Sequence, residues 1–484
     1  MTAPAGEAWH RLSPRMLLVH PVHEVLRQIP LLIGSVVLGS ATGNPMWTLF
    51  GLALIVGYGV ARWFTTTYRI DSQEVRLRTG VVQRKVLSVP RNRIRSVSTD
   101  ARLLHRLLGL TVLRVSTGQE ARGAAAFALD AVEAAQVPRL RAILLADSLA
   151  PAVAEASAGR ELARWRPSWL RYSPLSFTGL AMILAAAGLV YQAGVGAALQ
   201  NSRLAKSGLD AAERFGVVAS AVVAAVALVV ASVVLSVLRS LVTYGNLELR
   251  KDADVLHLEH GLLRVREHTF DMRRLRGGTL RQPLLVRLFG GARLDAVMTG
   301  VGEAREASLL LPPCPLATAE AVLSELIARP DAVTGPLRGH GPVATRRRWT
   351  RALALPAVLL IAMVALYPWT PVWLWPALAV LTVCCAVLAF DRSRALGHRV
   401  DTQWLVARAG SMDRRRDCIA AAGIIGWTVR QTLLQRRAGV ATLTAATAAG
   451  VKGYRVIDVP ADLAWSIAAT ASPWVADNDW ARTT

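Results

Sequence analysis

Three kinds of residue in this chain have the type and spacing to do chemistry. The first are two histidine pairs, His20-Pro21-Val22-His23 and His257-Leu258-Glu259-His260, whose composition suits a metal. Along a strand His257 and Glu259 share one face and His260 takes the other, so three ligands do not converge. Neither pair returns elsewhere: Arg76 and Thr79 stand 181 residues before His257 and His260. The second is Cys418, two residues after Arg416, where a nearby guanidinium lowers a thiol pKa. Its counterpart 330 residues earlier is Ser88, which favours a small buried residue instead. The four cysteines, Cys314, Cys384, Cys385 and Cys418, lack zinc spacing. A reduced chain with no metal and no cofactor is expected. Gly-x-Ser-x-Gly, His-Glu-x-x-His and phosphate-binding glycine loops do not occur, so no enzyme activity is expected.

The third kind is basic. The formal charge is +23, and only Lys85, Lys206, Lys251 and Lys452 are lysines. Three clusters stand out: Arg84, Lys85, Arg91, Arg93, Arg95, Arg102 and Arg106; then Arg264, Arg266, Arg273, Arg274, Arg276, Arg281 and Arg287; then Arg414, Arg415, Arg416, Arg430, Arg436 and Arg437. Beside an anionic leaflet such clusters contact lipid headgroups; the alternative is a solvated basic face kept for topology. Alternation along a strand would put Arg91, Arg93 and Arg95 on one face, and Arg274 and Arg276 repeat the last two positions. The candidate anionic-lipid or partner-binding set is therefore Arg84, Lys85, Arg91, Arg93, Arg95, Arg273, Arg274 and Arg276. Nucleic acid would explain the charge but not a 53% hydrophobic chain with mean hydropathy +0.36.

The elements that position these residues are repeated. Adding 181 carries Gly80 to Gly261, Arg93 to Arg274, Arg106 to Arg287 and Gly109 to Gly290; adding 330 gives Gly410, Ile424, Arg436 and Gly439. Three copies of one module follow. Tyr68–Asp71, Val75–Arg78, Val86–Val89, Arg93–Val97, Leu110–Ser116 and Ala124–Leu129 read as strands, and Leu103–Gly109 as a helical turn stopped by glycine. Val132–Ala146 reads as an amphipathic helix. Gly80, Gly261 and Gly410 follow strands at one repeat position, so positive φ is expected there. Matching Tyr68 with Tyr244 makes Lys251–Asp254 an insertion in the second copy.

Between the modules the chain is membrane-like. Uncharged runs cover 28–61, 172–202, 215–238 and 352–390. The first is short for two crossings, which need about 40 residues, so a re-entrant hairpin is its alternative. Tyr367-Pro368-Trp369-Thr370-Pro371 breaks the last run as a hairpin turn. Basic residues flank the hairpins while the loops at 43–45 and 367–371 have none, which puts the termini and all three modules in the cytoplasm of a multi-pass bacterial plasma-membrane protein. The organisation expected is an N-terminal segment with hairpin one (1–66), a module (67–146), a linker (147–171), hairpin two (172–240), a module (241–329), a linker (330–351), hairpin three (352–391), a divergent module (392–476) and a tail (477–484).

Val89–Val115 and Phe270–Val297, with Leu103-Leu104-His105-Arg106-Leu107-Leu108-Gly109 and Leu284-Leu285-Val286-Arg287-Leu288-Phe289-Gly290, resemble the bacterial pleckstrin-homology-like domain of the second subtype. The third copy departs from that motif, with Leu433-Leu434-Gln435-Arg436-Arg437-Ala438-Gly439. Three such units after hairpins resemble the YdbT-like membrane proteins. The resemblance implies a fold class of membrane helix pairs, each followed by a mainly-β, α+β module: a PH-like β-barrel with a C-terminal helix. It implies no catalytic residues. Specific phosphoinositide binding is not expected, because the early turns are acidic at Asp71 and Glu74, Asp252 and Asp254, and Asp401. The function expected is a non-catalytic membrane scaffold binding protein partners and the anionic inner leaflet, in envelope homeostasis or stress. Its partners would be anionic lipid headgroups and a protein: a second copy, or a smaller membrane protein with the same domain. The rival is a component of an export or transport assembly, against which the spans carry no ionisable residue.

Overall fold

The computed structural model describes residues 9–15, 64–145, 159–176, 216–299, 309–367 and 369–476, with gaps at 12, 72, 81–83, 92–93, 95, 102 and 117–126 and scattered positions at 46–61 and 181–188. Hairpin one, most of the first half of hairpin two, His20, His23, Arg93 and Arg95 lie outside the described residues or largely so.

The same element order occurs three times. A short strand β1 (His10–Arg11) precedes the first module, which runs β2 (Thr67–Ile70), β3 (Glu74–Thr79), β4 (Lys85–Pro90), β5 (Ser96–Ala101), α1 (Leu103–Leu107), β6 (Leu110–Ser116), β7 (Phe127–Glu133) and α2 (Val137–Leu145). After β8 (Arg160–Arg164) and α3 (Val217–Tyr244) come β9 (Glu248–Asp252), β10 (Val255–His260), β11 (Val265–Asp271), β12 (Leu275–Pro283), α4 (Leu284–Leu288), β13 (Gly291–Met298), β14 (Leu309–Pro315) and α5 (Leu316–Ile327). The helices α6 (Gly341–Ala365) and α7 (Leu374–Ala395) lead into β15 (Gly397–Val400), β16 (Trp404–Ala409), β17 (Asp413–Ala420), β18 (Ile424–Arg430), α8 (Leu433–Arg437), β19 (Val440–Thr447), β20 (Gly453–Pro460) and α9 (Ala461–Ala471). The helices α3, α6 and α7 are long and apolar enough to cross a membrane.

Local chemistry explains the repetition. Gly80, Gly261 and Gly410 have φ of 123°, 108° and 102°; a Cβ at the last two would collide with the carbonyls of Arg264 and Asp413. The positive φ expected there is present. Gly109, Gly290 and Gly439 also have positive φ, and each of their carbonyls accepts the N–H that opens the next helical element, from Ala134, Leu316 and Ala461 at 2.9–3.0 Å. The strand pair between them shares an irregularity at one repeat position, between Thr111 and Leu113, Ala292 and Leu294, and Ala441 and Leu443, with a second in the middle copy between Leu294 and Asp295.

Several expectations need correction. The strand expected over Arg93–Val97 begins at Ser96, because the chain first makes a 3-10 turn: Ile94 N donates to Arg91 O at 3.0 Å, and Met272–Arg274 and Ala421–Gly423 turn likewise. The helix expected from Val132 begins at Val137, since β7 continues to Glu133. Tyr244 ends α3 rather than opening a strand, so no insertion is needed: Asp71, Asp252 and Asp401 close the first strand at one repeat position. Asp401 Oδ1 accepts from Gln403 N and Trp404 N at 2.8 and 2.7 Å, an Asx turn that gives this acidic turn a structural reason.

Among the described residues the strands do not close into the expected barrels. The described strands form four antiparallel sheets, ordered β1-β2-β3-β4, β7-β6-β5-β11-β10-β9-β8, β14-β13-β12-β17-β16-β15 and β18-β19-β20. Edges that would close a module on itself pair with the next module instead. The first such seam joins β5 to β11, and the second joins β12 to β17. Their registers coincide. Asp100 opposes Arg266 in the first seam, and the residues at those repeat positions, Arg281 and Arg415, oppose each other in the second. Two compact units result, one holding the first module with Val242–Arg274, the other holding Leu275–Thr299 with the third module. Each core borrows from the middle module: Val255 packs with Val75, Ile94 and Leu113, and Val297 packs with Ile419, Leu443 and Tyr454.

One further pattern recurs at the sheet edges. The segment before each long apolar stretch is hydrogen-bonded to the first strand after it. Arg11 opposes Thr67, Arg164 opposes Glu248, and Arg338 bridges to His398.

Candidate membrane-facing surface

The last residues of α3 and of α7 are each tied to a turn at one repeat position. Leu262 N donates to Val242 O at 3.1 Å and Gly261 N to Gly245 O at 2.8 Å, so the turn after β10 is bonded to the last residues of α3. His260, buried beneath it, bonds Thr243 O through Nδ1 at 2.8 Å. The corresponding turn of the third module is held by Asp391 near the end of α7. That carboxylate accepts from Ser411 Oγ at 2.8 Å and from Arg414 at 2.6 Å.

A short helix from the preceding module reaches the same place at each seam. Arg106 of α1 donates to Leu262 O at 3.1 Å. Arg287 of α4, at the same repeat position, pairs with Asp391 at 2.7 Å, and Leu284 N donates to Met412 O at 2.7 Å. These helices expose apolar side chains. Leu107 is 79% exposed and Leu288 70%, with Leu104 and Phe289 also exposed. The turns add exposed Leu263 and Met412, again at one repeat position. Apolar side chains and arginines at the end of a membrane helix are the composition of a headgroup-level surface.

The described basic residues of the expected set differ in exposure and partners, and Arg93 and Arg95 lie outside the described residues. Arg84 and Lys85 are exposed at the start of β4. Arg91 is 9% exposed, and its guanidinium donates to Ile143 O in α2. Arg273 and Arg274 both pair with Asp271 at 3.3 Å. Arg276 lies on β12 with its aliphatic stem against Gly423. Sequence reading missed the exposed Leu104, Leu107, Leu263, Leu288, Phe289 and Met412. For those in the short helices the Leu-Leu-x-Arg-Leu motif was the signal, but it was read only as a helical turn stopped by glycine.

Other chemistry-bearing residues have structural partners. Cys418 is buried, and burial pushes its thiol up to about 12 despite Arg416; it donates to Ala332 O at 3.4 Å. His257 lies 3.5 Å from Thr269 Oγ1. Among the described residues no cluster of three or more His, Cys, Asp or Glu side chains has the geometry to hold a metal. The third module contains a buried polar network that sequence reading missed. His398 Nδ1 meets His340 Nε2 at 2.9 Å, and His340 Nδ1 meets Ile457 O at 2.8 Å. Beside them Asp458, fully buried, pairs with Arg348 at 2.8 Å and Arg347 at 3.4 Å and accepts from Gln435 at 2.8 Å. Part of the basic run before hairpin three thus belongs to the module's interior. Burial lowers the His398 pKa to about 4, with His340 and Arg338 adding to the shift.

Comparison with known proteins adds one finding. A family model described as Bacterial PH domain matches three segments, 24–148, 197–329 and 351–472. No curated protein and no solved structure matches the chain.

Proposed function

We propose, for a chain that belongs to the bacterial PH domain family in three copies, a non-catalytic role as a multi-pass membrane scaffold. Its modules lie on the cytoplasmic side of the plasma membrane, rest their short helices and turns in the headgroup layer of the anionic leaflet, and bind protein partners there. The observation that carries this reading is the repeated lip, in which exposed leucine and arginine of one module stand at the membrane exit of the next. Topology is supported by the stitched flanks. Chain entering and leaving each hairpin lies on one sheet edge, so each hairpin crosses an even number of times and all modules share a side. The basic flanks make that side cytoplasmic.

Magnitudes place the apolar part first. Burying a leucine side chain contributes roughly 1.5–3 kcal/mol, against about 1 kcal/mol for each basic residue near an anionic surface. Attachment of the lips should therefore weaken with salt but not vanish. The test uses the full chain in anionic vesicles, with Cys384→Ser and Cys385→Ser and a fluorophore at Leu107→Cys or Leu288→Cys. A lipid-borne quencher should quench both labels, and a label at exposed Asp331→Cys should escape. Equal quenching at all three positions, or none at Leu107 and Leu288, overturns the reading.

A further inference from the structure

The chain repeats one seam twice and leaves both halves of a third seam open. The seam joins the third strand of one module, β11 or β17, to the fourth strand of the module before it, β5 or β12. In the first module the third strand is β4, and in the third module the fourth strand is β18. Each ends its sheet, and among the described residues neither has a strand on its outer edge. We infer that β18 of one chain pairs antiparallel with β4 of a second copy, in the register of the two internal seams. This reaches beyond the scaffold reading and does not depend on lipid attachment.

Four observations carry it. The transferred register opposes Arg430 to Lys85, Val429 to Val86, Thr428 to Leu87, Trp427 to Ser88 and Gly426 to Val89. Pro90, which has no N–H to donate, falls just beyond this run, as Asp271 falls beyond the first internal seam.

Gly426 is the second. It shares a repeat position with Gly277, and both strands carry a bulge there, between Leu275 and Gly277 and between Ile424 and Gly426. At Gly277 a Cβ would collide with the Cys418 carbonyl of the partner strand. Gly426 lacks the positive φ of Gly277, and a Cβ there would meet nothing closer than Ala446 Cβ at 3.9 Å. What recurs at the open edge is the glycine and its bulge, where among the described residues the chain supplies no strand.

The third observation is the short helix. Leu284 and Leu285 are half-buried in α4 at the second seam, whereas Leu433 and Leu434, at the same positions in α8, are 83% and 64% exposed. The fourth is chemical fit. Val429 meets Val86, itself exposed, without burying a charge. The like-charged pair Arg430–Lys85 has a precedent in Arg281–Arg415, which also oppose each other. Head-to-tail pairing of this kind is heterologous, so it propagates as a ring or a line rather than stopping at a twofold dimer.

The experiment uses the full chain in native membranes. Two differently tagged copies are co-expressed with Cys384→Ser and Cys385→Ser, one carrying Val86→Cys and the other Val429→Cys. Cys314 and Cys418 stay, since both are buried. A mild added oxidant should give a disulfide product bearing both tags. Val86→Cys with Thr428→Cys, whose side chain takes the other face, should give about tenfold less, because disulfide geometry is short-ranged. The inference is overturned by failure of the Val86–Val429 cross-link in folded chains, or by equal cross-linking of the two pairs.

Discussion

At the first seam the buried carboxylate has guanidinium partners; at the second it has chiefly a hydroxyl. Asp100, 5% exposed, accepts from Arg264 Nε at 2.5 Å and lies 3.5 Å from Arg114. Burial pushes its carboxyl up, but Arg264, Arg114 and Arg266 outweigh that and hold it below the ordinary range. Asp417 accepts from Thr279 Oγ1 at 2.7 Å. Burial raises its carboxyl, and Thr279, Arg415 and Arg281 do not bring it back. The registers are nevertheless the same, and the second seam is the longer: pairing runs from Gly277 to Pro283, against Val97 to Ala101 in the first. The main chain therefore sets how modules join, while the side chains at the seam are free to differ.

The largest break in that comparison should come from the glycine position. Gly277→Val places a Cβ against the Cys418 carbonyl on a backbone of φ 138°. We expect a loss of about 3 kcal/mol or more, read by denaturant unfolding of the full chain in detergent with amide exchange on β17. Ser96→Val, at the matching position of the first seam where pairing has already ended, should stay within about 0.5 kcal/mol.

Exchanging the carboxylates tests the side chains next. Asp100→Asn should destabilise by about 2 kcal/mol, less than a fully buried pair because Arg264 reaches water. Asp417→Asn keeps an acceptor for Thr279 and removes a buried charge, so it should be neutral or slightly stabilising in the same unfolding measurement. Equal losses from both would mean that the two seams use charge alike.

The smallest effect should appear with pH. Asp417 has a raised folded pKa, so the second seam gains stability as pH falls through that pKa towards the ordinary 3.8. Asp100 has a lowered one, so the first seam keeps its stability down to about 3.8 and loses it below. Amide exchange, corrected for intrinsic rates, should show increasing protection of β12 and β17 on mild acidification while β5 and β11 stay unchanged. Parallel changes at both seams would contradict the assignment of these carboxylates.

Much of the module was legible because its signals are local. The glycines, the short helix before Gly109 and the break at Tyr367–Pro371 each follow from a few adjacent residues. The seams were not, because Asp100 and Arg264 are 164 residues apart and an edge awaiting a partner looks like any half-exposed strand. Of the expected arginine ladder only Arg91 is described, and it differs from a strand position for a definable reason: Ile94 N turns back to Arg91 O, and the Arg91 guanidinium is directed into the module to hold Ile143 O. Arginine inside also accounts for part of the basic run before hairpin three, where Arg347 and Arg348 pair with Asp458. The exposed lips were half legible: the motif was recognised, but only the placement of α1 and α4 beside membrane helices reveals which way its leucines face.

The long reach of the seams has a consequence for how the chain is made. At roughly 5–20 residues per second, β5 leaves the ribosome some ten to thirty seconds before β11, and the long apolar helix α3 is made between them. Through that interval β5 offers an unpaired edge, the kind of template that recruits whatever strand comes first. Because β17 fits the same register as β11, geometry alone does not tell β5 which to accept. Within one chain β11 arrives first, so the timing of translation sorts strands that their backbones cannot distinguish, and a ribosome following closely on the same message is the natural source of a wrong one.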